Sequence, residues 1–498
     1  MSAEPARLAA DAVVIGTGAG GGPAAAVLAE AGLEVIVLEA GPRIPSSEFR
    51  PDEAWSRARL GRVSASADGL ESFYAGACVG GSTVVNDALC WPTPPEVLDA
   101  WRREHALGAL AGELGAFVER AWRDVHAEPT GPEHLNRNAR VLARGARRLG
   151  WSGRAMARSV RGCANLGRCS FGCPTDAKQS SLVAWIPRAE RAGARVVANA
   201  RAERIRVEAG RARGVVATRL DPETGDPRGS LEVEAPLVCA AAGALGTGPL
   251  LRRSGVGGAL AGRGFQAHSS AYVTARFARP VHGSFGPTMA FGVDEFADVN
   301  GRTGPGYLLE NTSVQPMQTA GVLPGFGAEH ARAMAALPHL AHAVVVLRDR
   351  ARGAIAPGEA AGSAAIDYGP DAGDLARLRH AFASAARLYL ASGAEEVFLP
   401  VHGSAPVRSE RELGAIAELP LDPTRLTLLY AVHLFGGAAM HGRRGEGVCD
   451  PEGGAWDARG LFVADAAALP GNTGVNPQIT VMAHALRAAE AALARRTA

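Results

Sequence analysis

The sequence has almost no net charge, few aromatic residues and no long apolar run. Its 498 residues contain 52 Lys and Arg against 50 Asp and Glu, a net charge of +2. No overall field would therefore gather a polyanion, and we expect no binding to nucleic acid. No run reaches the roughly 18 apolar residues of a transmembrane helix, and residues 1–8 lack the features of a signal peptide. We therefore expect a cytoplasmic protein without a transmembrane segment.

Lysine and cysteine are also scarce. Lys178 is the single lysine, and we expect it at the surface. The alternatives are support of a nearby cysteine loop and contact with a charge on a bound cofactor or substrate. The seven cysteines are an odd number in a long chain, whereas disulfide scaffolds are short and evenly paired, so a reducing compartment is indicated. Apolar residues make up 47% of the chain, and 62 glycines with 31 prolines stay below the proportion of low-complexity sequences. The chain is therefore long and apolar enough for a sizeable core.

The first motif is a glycine-rich turn between an apolar strand and a helix. Residues 11–16 are typical of a buried strand, residues 23–31 of a helix, and residues 33–39 of a second strand that ends in an acid. Such a βαβ unit binds a pyrophosphate at the helix N-terminus, and the acid holds ribose hydroxyls. The predicted cofactor contacts in this unit are Gly16, Gly18, Gly20, Gly21 and Glu39.

Four further segments follow in a characteristic order. Residues 76–86 form a glycine-rich turn, residues 241–247 read Ala-Ala-Gly-Ala-Leu-Gly-Thr, residues 430–440 contain His433, and residues 471–480 contain Asn476 and Pro477. In this order they resemble the motifs of the glucose-methanol-choline (GMC) oxidoreductases, flavoenzymes that oxidise alcohols. The resemblance covers both ends and the middle of the chain.

The resemblance implies the fold and the cofactor. We expect an α/β fold with a Rossmann-like FAD-binding domain built from discontinuous segments, 8–90, 190–267 and 420–498. Residues 91–189 and 268–419 would form an α+β substrate domain with an antiparallel sheet and a cysteine-containing insertion. Further contacts to FAD are implied for Gly81, Ser82, Asn86, Ala242, Asp465, Ala466 and Pro477.

Two polar side chains match the family positions that face the flavin ring, His433 and Asn476. Hydride transfer from an alcohol carbon requires loss of the hydroxyl proton, and a histidine is a suitable base. Asn476 can donate to the developing alkoxide oxygen. Taken singly, His433 could be a buried structural histidine and Asn476 a helix cap. His268 also matches a family position, and we expect a structural role for it.

The cysteine segment allows three interpretations. Cys163, Cys169 and Cys173, followed by Lys178, resemble a run in the long-chain alcohol oxidase branch of the family. The same spacing, Cys-x5-Cys-x3-Cys-Pro, is similar to that of bacterial flavin-dependent glucose dehydrogenases that hold an iron–sulfur cluster there. Clustered thiolates are what such a cluster requires, although three are fewer than the usual four. Packing or a redox-labile pair is a third explanation, and no fourth ligand for zinc is apparent.

The favoured function is FAD-dependent oxidation of a primary, medium- to long-chain aliphatic alcohol to the aldehyde, by hydride transfer to flavin. The expected partners are a small-molecule alcohol and oxygen or another electron acceptor, with oxygen preferred. The first alternative is a sugar or polyol dehydrogenase that passes electrons through an iron–sulfur cluster to a cytochrome or quinone. A non-redox flavin lyase is the second. A NAD-dependent enzyme is the third, because one Rossmann fingerprint does not separate NAD from FAD.

Overall fold

The computed structural model describes residues 6–497, which form a mixed α/β structure. The α-helices are, in chain order, α1 (Gly21–Glu30), α2 (Glu53–Leu60), α3 (Ser82–Val85), α4 (Pro95–Glu104), α5 (Gly108–Asp124), α6 (Arg137–Leu149), α7 (Ser181–Ala184), α8 (Ile186–Arg191), α9 (Ala244–Arg253), α10 (Pro316–Val322), α11 (Gly327–Ala335), α12 (Ala372–Ser392) and α13 (Gln478–Thr497).

The strands are, in chain order, β1 (Ala6–Ala9), β2 (Ala12–Ile15), β3 (Val35–Leu38), β4 (Gly61–Ala65), β5 (Ser72–Gly76), β6 (Leu89–Cys90), β7 (Ala127–Pro129), β8 (Gly153–Ala155), β9 (Ala157–Ser159), β10 (Arg195–Val197), β11 (Ala200–Glu208), β12 (Arg211–Leu220), β13 (Pro227–Glu234), β14 (Leu237–Ala240), β15 (Arg263–Ala267), β16 (Ser270–Arg276), β17 (Phe291–Val293), β18 (Tyr307–Thr312), β19 (Leu340–Leu347), β20 (Gly353–Pro357), β21 (Ala364–Asp367), β22 (Glu396–Phe398), β23 (Tyr430–Ala431), β24 (Leu434–Phe435) and β25 (Leu461–Val463).

A parallel sheet collects strands from distant parts of the chain. Its order is β10-β3-β2-β14-β25, and every neighbouring pair is parallel. Every residue of β2, β3 and β14 is buried, as expected for a parallel sheet covered on both faces. The helix α1 packs against β2, β3 and the C-terminal helix α13. The expected Rossmann-like unit from discontinuous segments is thus confirmed as a fold class.

A second, largely antiparallel sheet forms the other part of the molecule. Its strand order is β4-β5-β23-β16-β19-β18-β17-β8, with β22 paired to β16. Odd-numbered residues such as Val273 and Val345 face a core shared with α6 and α12. Even-numbered residues such as Tyr272 and Val344 belong to the core that also contains the parallel sheet. One face of this sheet therefore looks toward the nucleotide-binding unit, since side chains alternate along a strand.

Helix α12 shows why these elements begin and end where they do. Asp371 and Asp374 form a reciprocal capping box at its start, and Gly393 ends it in the left-handed conformation with φ +95°. The Asp374 carboxylate also accepts the backbone N–H groups of Arg350 and Ala351, which fixes the chain between β19 and β20.

Three smaller sheets complete the fold, with orders β1-β13-β12-β11, β21-β20-β15-β24 and β6-β9-β7. Across residues 6–497, no helix combines the length and apolar character needed to cross a membrane. The described residues do not include residues 1–5, which carry part of the expectation that the chain has no signal peptide. They also do not include residue 498, the last residue of the predicted segment 420–498. The predicted domain limits stay a prediction.

Candidate active site

The glycine-rich turn after β2 packs against two neighbouring strand ends. Gly16 has φ +98°, and a Cβ there would lie 2.2 Å from the carbonyl oxygen of Ala241. A Cβ on Gly20 would lie 2.1 Å from the carbonyl oxygen of Ala464. Gly18 differs, because the nearest atom to its Cβ position is the Cα of Gly81 at 3.8 Å. Gly16 and Gly20 are therefore required for packing, whereas Gly18 leaves room beside the turn.

Helix α1 begins at this turn without a side-chain cap. Its N-cap is Gly20, no acidic residue stands in its first turn, and Gly21 and Gly22 follow directly. A Cβ on Gly81 would lie 2.8 Å from the Cα of Gly18, so two glycine turns approach each other here. An uncapped helix N-terminus beside close backbone is suited to a pyrophosphate. The residues present thus fit the dinucleotide part of FAD.

Glu39 follows β3 and lies at the same edge of the sheet. Its carboxylate accepts the Thr17 N–H at 3.1 Å, the Thr17 hydroxyl at 2.6 Å and the Gly41 N–H at 2.9 Å. Burial raises the pKa of Glu39, and these hydrogen bonds partly offset that effect. The Thr17 hydroxyl also accepts the Gly80 N–H at 2.9 Å. Thr17, which the sequence motif did not single out, therefore joins the acid to the second glycine turn.

Asp465 follows β25 and joins the remaining predicted contacts. Its carboxylate accepts the Gly243 N–H and the Thr247 hydroxyl, both at 2.7 Å. The Ala242 N–H donates to the same Thr247 hydroxyl at 3.1 Å. Burial raises the pKa of Asp465 to about 6. The ends of β14 and β25, with Ala466 directly after Asp465, are thus held together by one buried carboxylate and Thr247.

The segment from Gly81 to Asn86 meets the start of α13. The Ser82 hydroxyl accepts the Gly76 N–H at 2.9 Å. Asn86 Nδ2 donates to Gln478 Oε1 at 2.9 Å, and Gln478 Nε2 donates to the Leu89 carbonyl at 2.7 Å. Pro477 stands immediately before Gln478 and is buried. Gln478 was not predicted, because nothing in its local sequence indicates a partner 392 residues away.

Lys178 is buried, contrary to the expected surface position. Its ammonium group donates to the carbonyl oxygens of Val84 at 2.6 Å, Asn86 at 2.8 Å and Cys169 at 2.6 Å. Burial lowers its pKa to about 8. The surface expectation was wrong because three carbonyls from two separate segments converge on the ammonium group and compensate its burial. The alternative, support of the cysteine segment, is what the structure shows.

The cysteine segment is joined to the 81–86 segment through Lys178. All seven cysteines are free. Cys169 is buried and its Sγ accepts from Arg158 Nη2 at 2.9 Å, while Cys163 and Cys173 are partly exposed. Burial opposes ionisation of Cys173, but hydrogen bonds from Thr175 and nearby backbone lower its pKa overall. Within residues 6–497, no three His, Cys, Asp or Glu side chains are placed to hold a metal ion. Cys163, Cys169 and Cys173 nevertheless line one small cavity together with Arg158 and Lys178, and the iron–sulfur alternative stays a prediction.

His433 and His268 face each other because of one antiparallel strand pair. Ala267 at the end of β15 pairs with Leu434 at the start of β24, which sets His268 opposite His433. The two ring Nδ1 atoms are 3.2 Å apart. The backbone N–H of His268 also donates to the backbone carbonyl of His433 at 3.1 Å. His268 Nε2 accepts the Gly474 N–H at 3.1 Å. Desolvation lowers the pKa of His433 to about 4. His268 is thus in direct contact with the predicted catalytic histidine.

Asn476 is buried beside a carboxyl group that the motifs did not reveal. Its Nδ2 donates to Glu310 Oε2 at 3.4 Å. Neither Asn476 Oδ1 nor Glu310 Oε1 has a hydrogen-bond partner. Burial raises the pKa of Glu310 to about 8; the Asn476 hydrogen bond lowers it and nearby Asp87 raises it. The available signal was an acid inside an otherwise apolar strand start, Tyr307-Leu-Leu-Glu310.

Two tyrosines share the sheet face of Glu310. Tyr272 and Glu310 both pair with Val344 of β19, from opposite sides. Tyr272 stacks on Tyr430 with ring centroids 5.2 Å apart, and Tyr430 interacts electrostatically with Glu310. This aromatic pair and the carboxyl group therefore lie on the sheet face that looks toward the nucleotide-binding unit.

Comparison with known proteins identifies relatives of one family. Two family models, both described as GMC oxidoreductase, match residues 18–270 and 350–485. An uncharacterized GMC-type oxidoreductase of Mycobacterium tuberculosis is 36% identical over 99% of this chain and 77% of its own length. One of Sinorhizobium fredii is 34% identical over 98% and 95%. A long-chain-alcohol oxidase of Arabidopsis thaliana is 28% identical over 96% of this chain and 67% of its own length.

Solved structures share the fold at low identity. A formate oxidase of Aspergillus oryzae, in a study of its FAD modification, has a TM-score of 0.74 and 14% identity, covering 98% of this chain and 99% of its own. Pyridoxine 4-oxidase from Mesorbium loti has a TM-score of 0.71 and 17% identity, covering 97% and 98%. At these identities the likeness is one of fold.

Proposed function

The chain belongs to the GMC oxidoreductase family, whose members bind FAD, and from that membership we propose that it oxidises a primary aliphatic alcohol to the aldehyde. Medium- to long-chain alcohols are the proposed substrates, and oxygen is the proposed acceptor. The likeness to a long-chain-alcohol oxidase of Arabidopsis thaliana supports this choice. The chemistry that FAD supplies when bound is acceptance of the two electrons of the carbinol C–H bond and their delivery to the second acceptor.

The observation that supports the proposal is a chain of contacts from His433 to the loop that contains Asn476. His433 reaches Gly474 of this loop through His268, and Asn476 stands two residues further on. The loop leads into α13, whose first residue Gln478 holds Asn86 of the second glycine turn. We infer that these two polar side chains, from separate segments, hold the substrate oxygen beside the proposed flavin contacts.

The residues of the candidate site have separate proposed roles in binding the substrate and the cofactor. His433 and Asn476 bind the substrate oxygen and orient the carbinol carbon. Gly18, Gly81 and the uncapped start of α1 hold the dinucleotide part of FAD. The stacked Tyr272 and Tyr430 form an apolar wall nearby. The proposed acceptor of the hydroxyl proton is the imidazole of His433.

Anaerobic titration of the purified flavoprotein with a medium-chain primary alcohol tests the proposal. We expect the flavin absorbance to bleach, and His433→Ala and Asn476→Ala to slow this reduction by about 10²- to 10⁴-fold, the range of a lost acid–base or oxygen-binding group. The exposed His282→Ala is the matched control and should reduce at the wild-type rate.

Other outcomes point to the alternatives. A flavin that no alcohol bleaches would contradict the proposal and favour the lyase. About three irons per chain with a broad visible shoulder would instead favour the cluster-bearing dehydrogenase. Near-wild-type reduction by the His433→Ala variant would remove His433 from the site.

A further inference from the structure

A polar cavity of about 280 Å³ lies beside the loop that leads to Asn476. Its walls include helix α4, the segment between β19 and β20, and residues 470–472 at the start of that loop. None of the predicted FAD contacts is among its lining residues, and neither His433 nor Asn476 lines it. The cavity is therefore separate from the candidate active site described above.

The segment between β19 and β20 places three arginines on this cavity, Arg348, Arg350 and Arg352. Arg348 Nη1 pairs with Asp298 Oδ2 at 3.2 Å. Within residues 6–497, the guanidinium group of Arg350 has no hydrogen bond or ion pair, and that of Arg352 donates only to the Pro470 carbonyl at 3.4 Å. Two exposed positive charges therefore lie at the cavity without a carboxylate partner.

The acids of the lining do not neutralise both of these charges. The Asp349 carboxylate accepts the Tyr368 hydroxyl, and burial raises its pKa to about 7. Glu104 of α4 is exposed, and it is the one lining acid of the described chain whose side chain has neither an ion pair nor a hydrogen bond. Burial and the charge of Arg352 lower the pKa of His105, so its ring is neutral at pH 7. The lining thus keeps an excess of positive charge.

Trp101 of α4 adds a buried hydrogen-bond donor to the cavity wall. The residue is 3% exposed, and its indole N–H has no hydrogen-bond partner in the part of the chain that the structure describes. The indole nitrogens of Trp91 and Trp185 are also unpaired but are closed off from solvent, whereas that of Trp101 keeps some accessible surface. A buried N–H without an acceptor lowers stability, so this donor calls for an acceptor from a ligand.

Arg348 also connects the cavity with the loop of the candidate active site. Its Nε donates to Asn472 Oδ1 at 3.3 Å, and its Cδ lies 2.8 Å from the position that a Cβ on Gly474 would take. The Gly474 N–H in turn donates to His268. A ligand in the cavity would therefore lie against the loop that carries Asn476.

We propose that this cavity binds a small organic phosphate, whose phosphoryl group is held by Arg350, Arg352 and the indole N–H of Trp101. A phosphoryl group carries a charge of about −1.5 to −2 at pH 7 and three acceptor oxygens, which matches two free guanidinium groups and a third donor. A carboxylate would balance only one of the two charges. The volume of the cavity approaches the roughly 300 Å³ at which small-molecule sites begin, so the carbon part of such a ligand has room beside its phosphoryl group.

Titration calorimetry of the FAD-bound protein at constant ionic strength tests this site, because bound FAD keeps phosphate out of the dinucleotide site. The probes are glycerol 3-phosphate, inorganic phosphate, and glycerol as the control without a phosphoryl group. We expect both phosphates to bind, the organic one more tightly, and glycerol not to bind. Equal affinity of the two would overturn the organic ligand and leave free phosphate as the occupant. No binding of either phosphate up to about 10 mM would overturn the site itself.

Substitutions at the cavity test the three donors. Arg350→Gln and Arg352→Gln should each weaken phosphate binding by about tenfold or more, the effect of losing a charge-assisted hydrogen bond. Trp101→Phe keeps an aromatic ring without the N–H and should weaken binding by about three- to tenfold. Arg140→Gln is the matched control, because Arg140 is an exposed arginine of α6 without an ion pair in the described chain, and it should bind as the wild type does.

The FAD content and the phosphate-free Tm should be unchanged in the arginine variants, which shows that they are folded. Wild-type affinity in the double variant Arg350→Gln and Arg352→Gln would overturn the assignment of the phosphoryl group to these arginines. None of these measurements needs turnover of an alcohol, so their failure would leave the proposed function standing.

Discussion

Lys178 illustrates how one side chain can join two functional segments. Its ammonium group donates to the carbonyls of Val84 and Asn86, in the segment proposed to contact FAD, and to that of Cys169 in the cysteine segment. Lys178→Met would leave three carbonyl oxygens without this donor, and each buried unsatisfied acceptor costs about 1–3 kcal/mol. We therefore expect the free energy of unfolding to fall by about 3 kcal/mol or more. Thermal unfolding measures the change as a lower Tm.

Arg161→Met is the matched control for that variant, since Arg161 is an exposed cation in the same part of the chain. It should leave Tm unchanged within about 1 °C, as expected of a surface substitution. An equal Tm for Lys178→Met and the wild type would show that the three carbonyls find other donors, and the bridging role would be wrong.

At the level of elements, the turn between β2 and α1 combines a folding role and a cofactor role in neighbouring glycines. A Cβ on Gly20 would lie 2.1 Å from the Ala464 carbonyl oxygen. Because this oxygen belongs to the backbone, relieving the clash would require a shift of the main chain. Gly18 has no atom nearer than 3.8 Å to its Cβ position. We therefore expect Gly20→Ala to lower Tm through overpacking of about 1–3 kcal/mol, and Gly18→Ala to keep Tm of the FAD-free protein but bind FAD more weakly.

Two measurements separate these effects, the FAD content after purification and the Tm of the FAD-free proteins. Full FAD retention by Gly18→Ala would contradict the assignment of the space beside Gly18 to the cofactor. An unchanged Tm for Gly20→Ala would contradict the packing role.

The same turn shows which elements could be predicted from sequence. Strands β2 and β3, helix α1 and the acid Glu39 are encoded within 30 residues, so glycine spacing and apolar runs predict them. Helix α12 is predictable for the same reason, because its cap and its C-terminal glycine are local signals. Strand order is different: β2 pairs with β14, which begins more than 220 residues later, and no local signal in either strand specifies that partner.

The same distinction between local and long-range signals applies to the candidate site. His433, Asn476 and the glycine turns stand in recognisable motifs, so the sequence alone singles them out, and their roles stay a prediction. Glu310, Thr17 and Gln478 were missed, because each acquires its meaning from a partner in a distant segment: Asn476, Gly80 and Asn86 respectively. Lys178 was placed wrongly for a related reason, since its three acceptors lie on two segments about 85 residues apart.

Considered as a whole molecule, the chain brings residues from its beginning, middle and end to one cofactor cradle. Thr17 contacts Glu39 and Gly80, and Asp465 holds Gly243 and Thr247. A ligand that binds only when these segments are assembled stabilises the folded state by RT ln(1 + [L]/Kd), about 4 kcal/mol at a thousandfold excess over Kd. We therefore expect FAD to raise the Tm of the FAD-free protein, by on the order of 5 °C, in one cooperative transition.

The control ligand for this experiment is NAD, which shares the adenosine and pyrophosphate of FAD but lacks the isoalloxazine ring. Glu39 and the uncapped start of α1 alone would serve either dinucleotide. In the proposed site, the isoalloxazine ring of FAD is held by the second glycine turn, Asn86 and the loop 472–476, which NAD would not occupy. NAD at the same excess should leave Tm unchanged. An equal shift with NAD would show that the adenosine half alone decides binding, and a larger shift with NAD than with FAD would favour the NAD-dependent alternative.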